Sequence, residues 1–130
     1  MAKILVIEDD PGIRKMIELT LTRAAHQVTL TNDGDQGLKS FRAEQPDLVI
    51  SDIVMPNKEG IETIMEIRKL APAIPIIAMS GGGLNIGTQY LGVAQKLGAN
   101  AILSKPFRTA ELVDLVAQIL KSPRNLPVID

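Results

Sequence analysis

The sequence predicts an α/β protein built on a parallel sheet with helices on both faces. Three observations predict it. Short aliphatic runs at residues 4–7, 48–50, 74–79 and 101–103 recur along the chain. Stretches with apolar residues at helical spacing lie between them. The chain has 130 residues, 45% hydrophobic and only 2% aromatic, which suits one domain with an aliphatic core. Continuous apolar runs bounded by turn residues read as strands buried on both faces. Strands that alternate with helices pair in parallel, because each crossover returns the chain to the same edge.

Each element has its own signal. Ile4, Leu5, Val6 and Ile7 form the first strand. Asp10 before Pro11 fits an N-cap followed by proline at the first helical position. Ile13, Met16, Ile17, Leu21 and Ala24 then share one face of a helix over residues 11–24. Val28 and Leu30 alternate with threonines, the pattern of an edge strand. Asn32, Asp33 and Gly34 mark a turn and a cap, and Leu38 and Phe41 a shorter helix ending before Pro46. Leu48, Val49 and Ile50 form the third strand, which runs out into Ser51 and Asp52. Residues 55–60 read as a loop. Ile61, Ile64, Met65 and Arg68 outline a third helix closed by Ala71 and Pro72. Residues 74–79 form a fourth strand, followed by a loop of Ser80, Gly81, Gly82 and Gly83. Tyr90, Leu91, Ala94 and Leu97 outline a fourth helix ending at Gly98. Residues 101–103 are a short fifth strand. Leu112, Leu115, Val116, Ile119 and Leu120 define the last helix. The expected division is one domain over residues 1–121 and an irregular tail over 122–130.

Composition removes several classes of function. Lys plus Arg is 14 and Asp plus Glu is 15, so no basic excess points to nucleic acid. The three aromatics, Phe41, Tyr90 and Phe107, offer no stacking platform for bases. Without cysteine there are no disulfides and no thiolate metal sites. The first apolar run is too short for a secretory segment, which needs about 7–15 apolar residues. No run approaches the roughly 18 apolar residues of a membrane span. A cytoplasmic protein that does not insert into membranes is expected. His26, the one histidine, follows the first helix, where a cation or polar cap is favourable.

In a sheet of this kind, sites form at the carboxyl ends of the strands. The first strand ends in Glu8, Asp9 and Asp10, the third in Asp52, the fourth in Ser80, and the fifth runs into Ser104, Lys105 and Pro106. Carboxylates gathered at one edge repel one another unless a cation intervenes. Mg²⁺ suits such a set, because it takes one or two carboxylates, waters and a phosphate oxygen. Asp10 fits a helix cap, whereas Asp9 fits a ligand. A carboxylate such as Asp52 can act as a nucleophile and form an acyl phosphate. Lys105 and Ser80 could then neutralise and hydrogen-bond the transferring group.

With these residues in place, the chain resembles the receiver domains of two-component response regulators, in particular the stand-alone, chemotaxis-regulator type. The motifs are the first strand with Glu8, Asp9 and Asp10, residues 47–56 around Asp52 with Gly60, the Ser80 and Gly81 pair, and residues 98–107 around Lys105. The resemblance covers residues 3–121. It implies a flavodoxin-like (βα)5 fold with strand order 2-1-3-4-5. Asp52 would accept a phosphoryl group from a histidine kinase or a histidine phosphotransfer protein. Asp9, Asp52 and the backbone carbonyl of Val54 would bind Mg²⁺, with Glu8 reaching it through water. Ser80 and Lys105 would engage the phosphoryl group, and the bond from Lys105 to Pro106 would be cis. The protein would catalyse only its own phosphorylation and dephosphorylation. It would signal by docking the face spanned by residues 90–120 onto an unknown target, as a monomer or weak dimer, with no output domain in this chain.

Three departures from the family pattern stand out. Ile102 occupies a position where an aromatic usually couples phosphorylation to the signalling face. The stretch from Ser80 to Gly87 is longer than is common and holds four glycines beyond Ser80, which suggests a loop ordered by phosphorylation or a partner. Val54 and Gly82 offer no polar group to position a water, so slow loss of phosphate is expected. The alternatives are weaker. A dehalogenase-type phosphatase needs a second aspartate two residues after the first, where this chain has Val54. A nucleotide or flavin binder needs a glycine-rich loop after the first strand, where three acids stand. A docking module on the same fold that works without phosphorylation is the remaining rival.

Overall fold

The computed structural model describes residues 2–53, 60–80 and 98–121. The elements are β1 (Lys3–Ile7), α1 (Pro11–Arg23), β2 (Gln27–Thr31), α2 (Gly34–Glu44), β3 (Leu48–Asp52), α3 (Gly60–Leu70), β4 (Ile76–Ser80), β5 (Ala101–Ser104) and α4 (Thr109–Lys121). All five strands are parallel, in the order β2-β1-β3-β4-β5.

The continuous apolar strands are explained by what covers them. On one face, Ile4, Val6, Leu48, Ile50, Ile77, Met79, Ala101 and Leu103 pack against Ile17 and Leu21 of α1 and Leu112, Leu115, Val116 and Ile119 of α4. On the other, Leu5, Ile7, Val49, Ile76, Ala78 and Ile102 pack against Leu38 and Phe41 of α2 and Ile64 and Ile67 of α3. Strand residues alternate between the faces, so a strand covered on both sides must be apolar at every position. Each fully buried aliphatic side chain contributes about 1.5–3 kcal/mol relative to an exposed one. β2, at the sheet edge, is only partly buried at its centre, as its alternating threonines predict.

The caps match their sequence signals. The Asp10 carboxylate accepts from Gly12 N at 2.8 Å and Ile13 N at 3.1 Å, and Pro11 opens α1. Asp33 accepts from Gln36 N at 2.8 Å at the start of α2.

Three expectations need correction. Gly60 is the first residue of α3 rather than the last of a loop. Met65 is 40% exposed, and Thr63, Ile64 and Ile67 form the buried face of α3. β4 begins at Ile76 and includes Ser80, because Ile74 still belongs to a turn in which its N–H donates to Ala71 O. His26 lies just past the end of α1, where its backbone N–H donates to Leu21 O at 3.1 Å. Its Nδ1 accepts from Ala2 N at 3.3 Å, and burial, with the nearby amino terminus, lowers its pKa. Phe107 packs against the core beside α4, as an anchor at the start of a helix would. Val54, Met55 and Pro56, the glycine-rich stretch from Gly81 to Gly87, the helix expected around Tyr90 and the tail lie outside the described residues. Among the described residues no helix is long and apolar enough to cross a membrane.

Candidate functional site

Register alone brings the charged strand ends together. Ile7 lies level with Ser51, so Glu8 follows beside Asp52. Asp52 lies level with Met79, and Ser80 with Ser104. Past the ladder, Ile53 N donates to Met79 O at 2.9 Å and Lys105 N donates to Ser80 O at 2.7 Å. The ends of β1, β3, β4 and β5 therefore stand side by side at one edge.

Glu8, Asp9 and Asp52 each offer a carboxylate oxygen, and these oxygens lie within 4.8 Å of one another. Glu8 and Asp52 are buried, while Asp9 faces solvent. Lys105 Nζ donates to Glu8 Oε1 and to Asp52 Oδ2, the latter at 3.2 Å. The peptide bond from Lys105 to Pro106 is cis. Glu8 Oε2 also accepts from Asp10 N at 3.0 Å, which shapes the turn between β1 and α1.

Among the described residues, the site holds one cation too few for its carboxylates. Burial pushes the Glu8 carboxyl up to about 7, and the neighbouring Asp52 charge adds to the rise. The hydrogen bonds from Lys105 and from Asp10 N, and the ammonium charge, oppose it without cancelling it. For Lys105, burial disfavours the ammonium. The hydrogen bond to Glu8 and the charges of Asp52 and Glu8 outweigh it, so its pKa is raised. Three close carboxylates facing one ammonium are a hard-oxygen donor set with negative charge to spare, and that fits a divalent cation. Ser80 supplies a second sign of a missing ligand. Its Oγ is buried and has no hydrogen-bond partner among the described residues, an arrangement that folded proteins rarely leave without a reason.

The structure thus gathers Glu8, Asp9, Asp52, Ser80 and Lys105 at one sheet edge. Ile102 is fully buried on the α2–α3 face, one residue before Leu103 on the other. Supporting residues emerge whose roles the sequence did not give. Arg14 Nη1 donates to Glu8 O at 3.0 Å and Asp9 O at 3.1 Å, holding the acidic turn by its backbone. Its place one helical turn after the Asp10 cap was the available hint. Gly60 packs on the acceptor strand so closely that a Cβ there would lie 1.9 Å from Asp52 O and 2.3 Å from Ile53 Cα. Only glycine permits that approach.

Comparison with known proteins agrees with this geometry. The family model "Response regulator receiver domain" matches residues 4–117. A probable transcriptional regulator ycf27 of Cyanophora paradoxa is 33% identical over 95% of this chain and 50% of its own length. A DNA-binding transcriptional regulator NtrC of Azospirillum brasilense is 36% identical over 97% of this chain and 26% of its own length. The chain therefore spans half or less of these curated relatives. Among solved structures, chemotaxis response regulator CheY4 of Vibrio cholerae superposes with a TM-score of 0.82 at 27% identity, covering 92% of this chain and 98% of that one. The receiver domain of the Francisella response regulator 1452 gives 0.84 at 27% identity, covering 95% and 100%.

Proposed function

Because this chain belongs to the response regulator receiver domain family, we propose that it is a phosphorylation-controlled switch with Asp52 as the phosphoryl acceptor. One observation carries the reading. The Lys105 ammonium and the Glu8, Asp9 and Asp52 carboxylates converge where the Ser80 hydroxyl, without a partner among the described residues, also ends its strand.

In the proposed reaction a carboxylate oxygen of Asp52 attacks the phosphorus of a phosphohistidine on a kinase or phosphotransfer protein. The new P–O bond forms as the P–N bond breaks, and the imidazole leaves with the electron pair. Lys105, already paired with Asp52, faces the charge that gathers on the phosphoryl oxygens. Ser80 donates its hydroxyl to one of them. Mg²⁺ bound by Asp9 and Asp52, with Glu8 through water and the Val54 carbonyl completing the set, would neutralise the remaining charge. The chain acts as an enzyme only on itself, in gaining and losing its own phosphoryl group. Readout is by docking onto a protein target, with residues 90–120 as the signalling face.

Incubation of the full chain with Mg²⁺ and acetyl phosphate tests the acceptor. The expected result is a mass gain of one phosphoryl group, absent in Asp52→Asn. A folded protein that gains nothing supports the phosphorylation-independent docking module instead.

A further inference from the structure

We propose that Arg68 and Asn100 are positioning residues that pin the register of β5 on β4 from the far end of the sheet, and so hold Lys105 against Asp52. The inference rests on the acceptor reading above for its importance, but not for its geometry.

β5 has four residues and lies at the sheet edge, paired among the described residues only with β4. Ala101 and Leu103 face one core and Ile102 the other. A slip of one residue would turn these side chains to the wrong faces, so burial forbids it. A slip of two residues keeps the alternation of faces, though it sets Asn100 or Ser104 in the buried place of Ile102, so burial opposes it less completely. It would carry Lys105 about 6.6 Å along the strand, at about 3.3 Å per residue. Lys105 Nζ now sits 3.2 Å from Asp52 Oδ2, and that contact would be lost.

The lock against such a slip is visible just before β5. Asn100 N donates to Ile76 O at 2.8 Å, and Asn100 Oδ1 accepts from Ile76 N at 2.9 Å. Both backbone groups of Ile76 are thereby engaged by one residue. Asn100 Oδ1 also accepts from Arg68 Nη2 at 2.9 Å, and the same nitrogen donates to Gly98 O at 2.5 Å. Arg68 Nη1 donates to Ile74 O at 2.6 Å and Pro72 O at 3.0 Å. One guanidinium thus ties the end of α3, the turn into β4 and the approach to β5. A planar fork of five donors suits this set, and an ammonium does not. Gly98, at φ +112°, lets the backbone pass, since a Cβ there would lie 3.0 Å from Arg68 Nε.

The test compares Arg68→Gln and Asn100→Ala with Thr31→Val. The last removes a buried hydrogen bond, Thr31 Oγ1 to Val6 O at 3.0 Å, from the opposite edge of the sheet. Lys105 is 12% exposed and ion-paired, so its acylation by acetic anhydride is slow. Peptide mass spectrometry follows that rate with neither metal nor phosphoryl donor present. The expected rise is about tenfold or more in Arg68→Gln and Asn100→Ala, the scale of one lost charge-assisted hydrogen bond. No rise is expected in Thr31→Val, even though urea unfolding shows it to be destabilised. In a second arm, Arg68→Gln slows phosphorylation by acetyl phosphate in the wild-type background and adds nothing in Lys105→Ala. Unchanged Lys105 protection in both pin variants, equal acceleration in all three, or multiplying losses in the double variant would overturn the proposal. If the wild-type chain takes up no phosphoryl group, the acceptor reading falls while the labelling arm still decides the pin.

Discussion

Glu8 shows how a single position carries both the charge of the site and its shape. One oxygen pairs with Lys105, and the other accepts from Asp10 N. Gly60 is its counterpart at the backbone level. Gly60→Ala should destabilise the chain by about 1–3 kcal/mol through overpacking, read as a lower urea midpoint, because the new methyl meets Asp52 O rather than a flexible side chain. Ile102→Tyr should cost a similar amount, about 1–3 kcal/mol by the same route. Ile102 is fully enclosed, so a ring has no space at that position. His26 gives the acid dependence. Its pKa is lowered from 6.5 by burial, so the unfolded chain binds the extra proton first as pH falls. The His26 contribution to stability should therefore be full above pH 6.5 and fall as pH drops below it, while Glu8, whose carboxyl is pushed up to about 7, shifts stability the opposite way over the same range. Urea titrations at several pH values should show less of this loss in His26→Gln. Glu8, Asp9, Asp52, Ser80 and Lys105 were legible together, because each stands at or just past the end of a short apolar run that reads as a strand in an alternating pattern. The roles of Arg14, Arg68 and Asn100 were not, because apart from the bond between Arg68 and Asn100 their partners are backbone carbonyls and amides, which carry no residue identity.

At the scale of elements, caps and periodicity set most boundaries. Asp10→Ala and Asp33→Ala should each cost about 1 kcal/mol by loss of the N-cap bonds. The two should add in the double variant within about 0.5 kcal/mol, since they cap different helices. Thermal or urea unfolding checks both. α1 and α2 were readable because an aspartate precedes each and an apolar stripe follows. α3 was harder. Its first residue is a glycine with no capping side chain, and from Ile64 the stripe could continue through Met65 and Arg68 or through Ile67. Only the position of α2 and of the sheet decides between these faces, and that is tertiary information. β4 was misplaced at its start for a related reason. Ile74 is apolar and β-branched, yet it sits in the turn that Arg68 braces.

For the whole molecule, the parallel order β2-β1-β3-β4-β5 places every acidic strand end at one edge, and that edge carries excess negative charge. Binding of Mg²⁺ to the folded state alone should stabilise it by about 2.7 kcal/mol at a hundredfold excess over Kd. The melting temperature should rise in Mg²⁺, fall back with chelator, and lose this response in Asp9→Asn. Asp52, among three neighbouring carboxylates, is the proposed phosphoryl acceptor. Borohydride reduces an acyl phosphate to the alcohol, so treatment of the chain after acetyl phosphate and Mg²⁺ marks the acceptor permanently. Peptide mass spectrometry should then find homoserine at position 52 and unmodified Glu8 and Asp9. Reduction at Glu8 or Asp9 instead, or at no carboxylate of a folded chain, would show that Asp52 is not the acceptor.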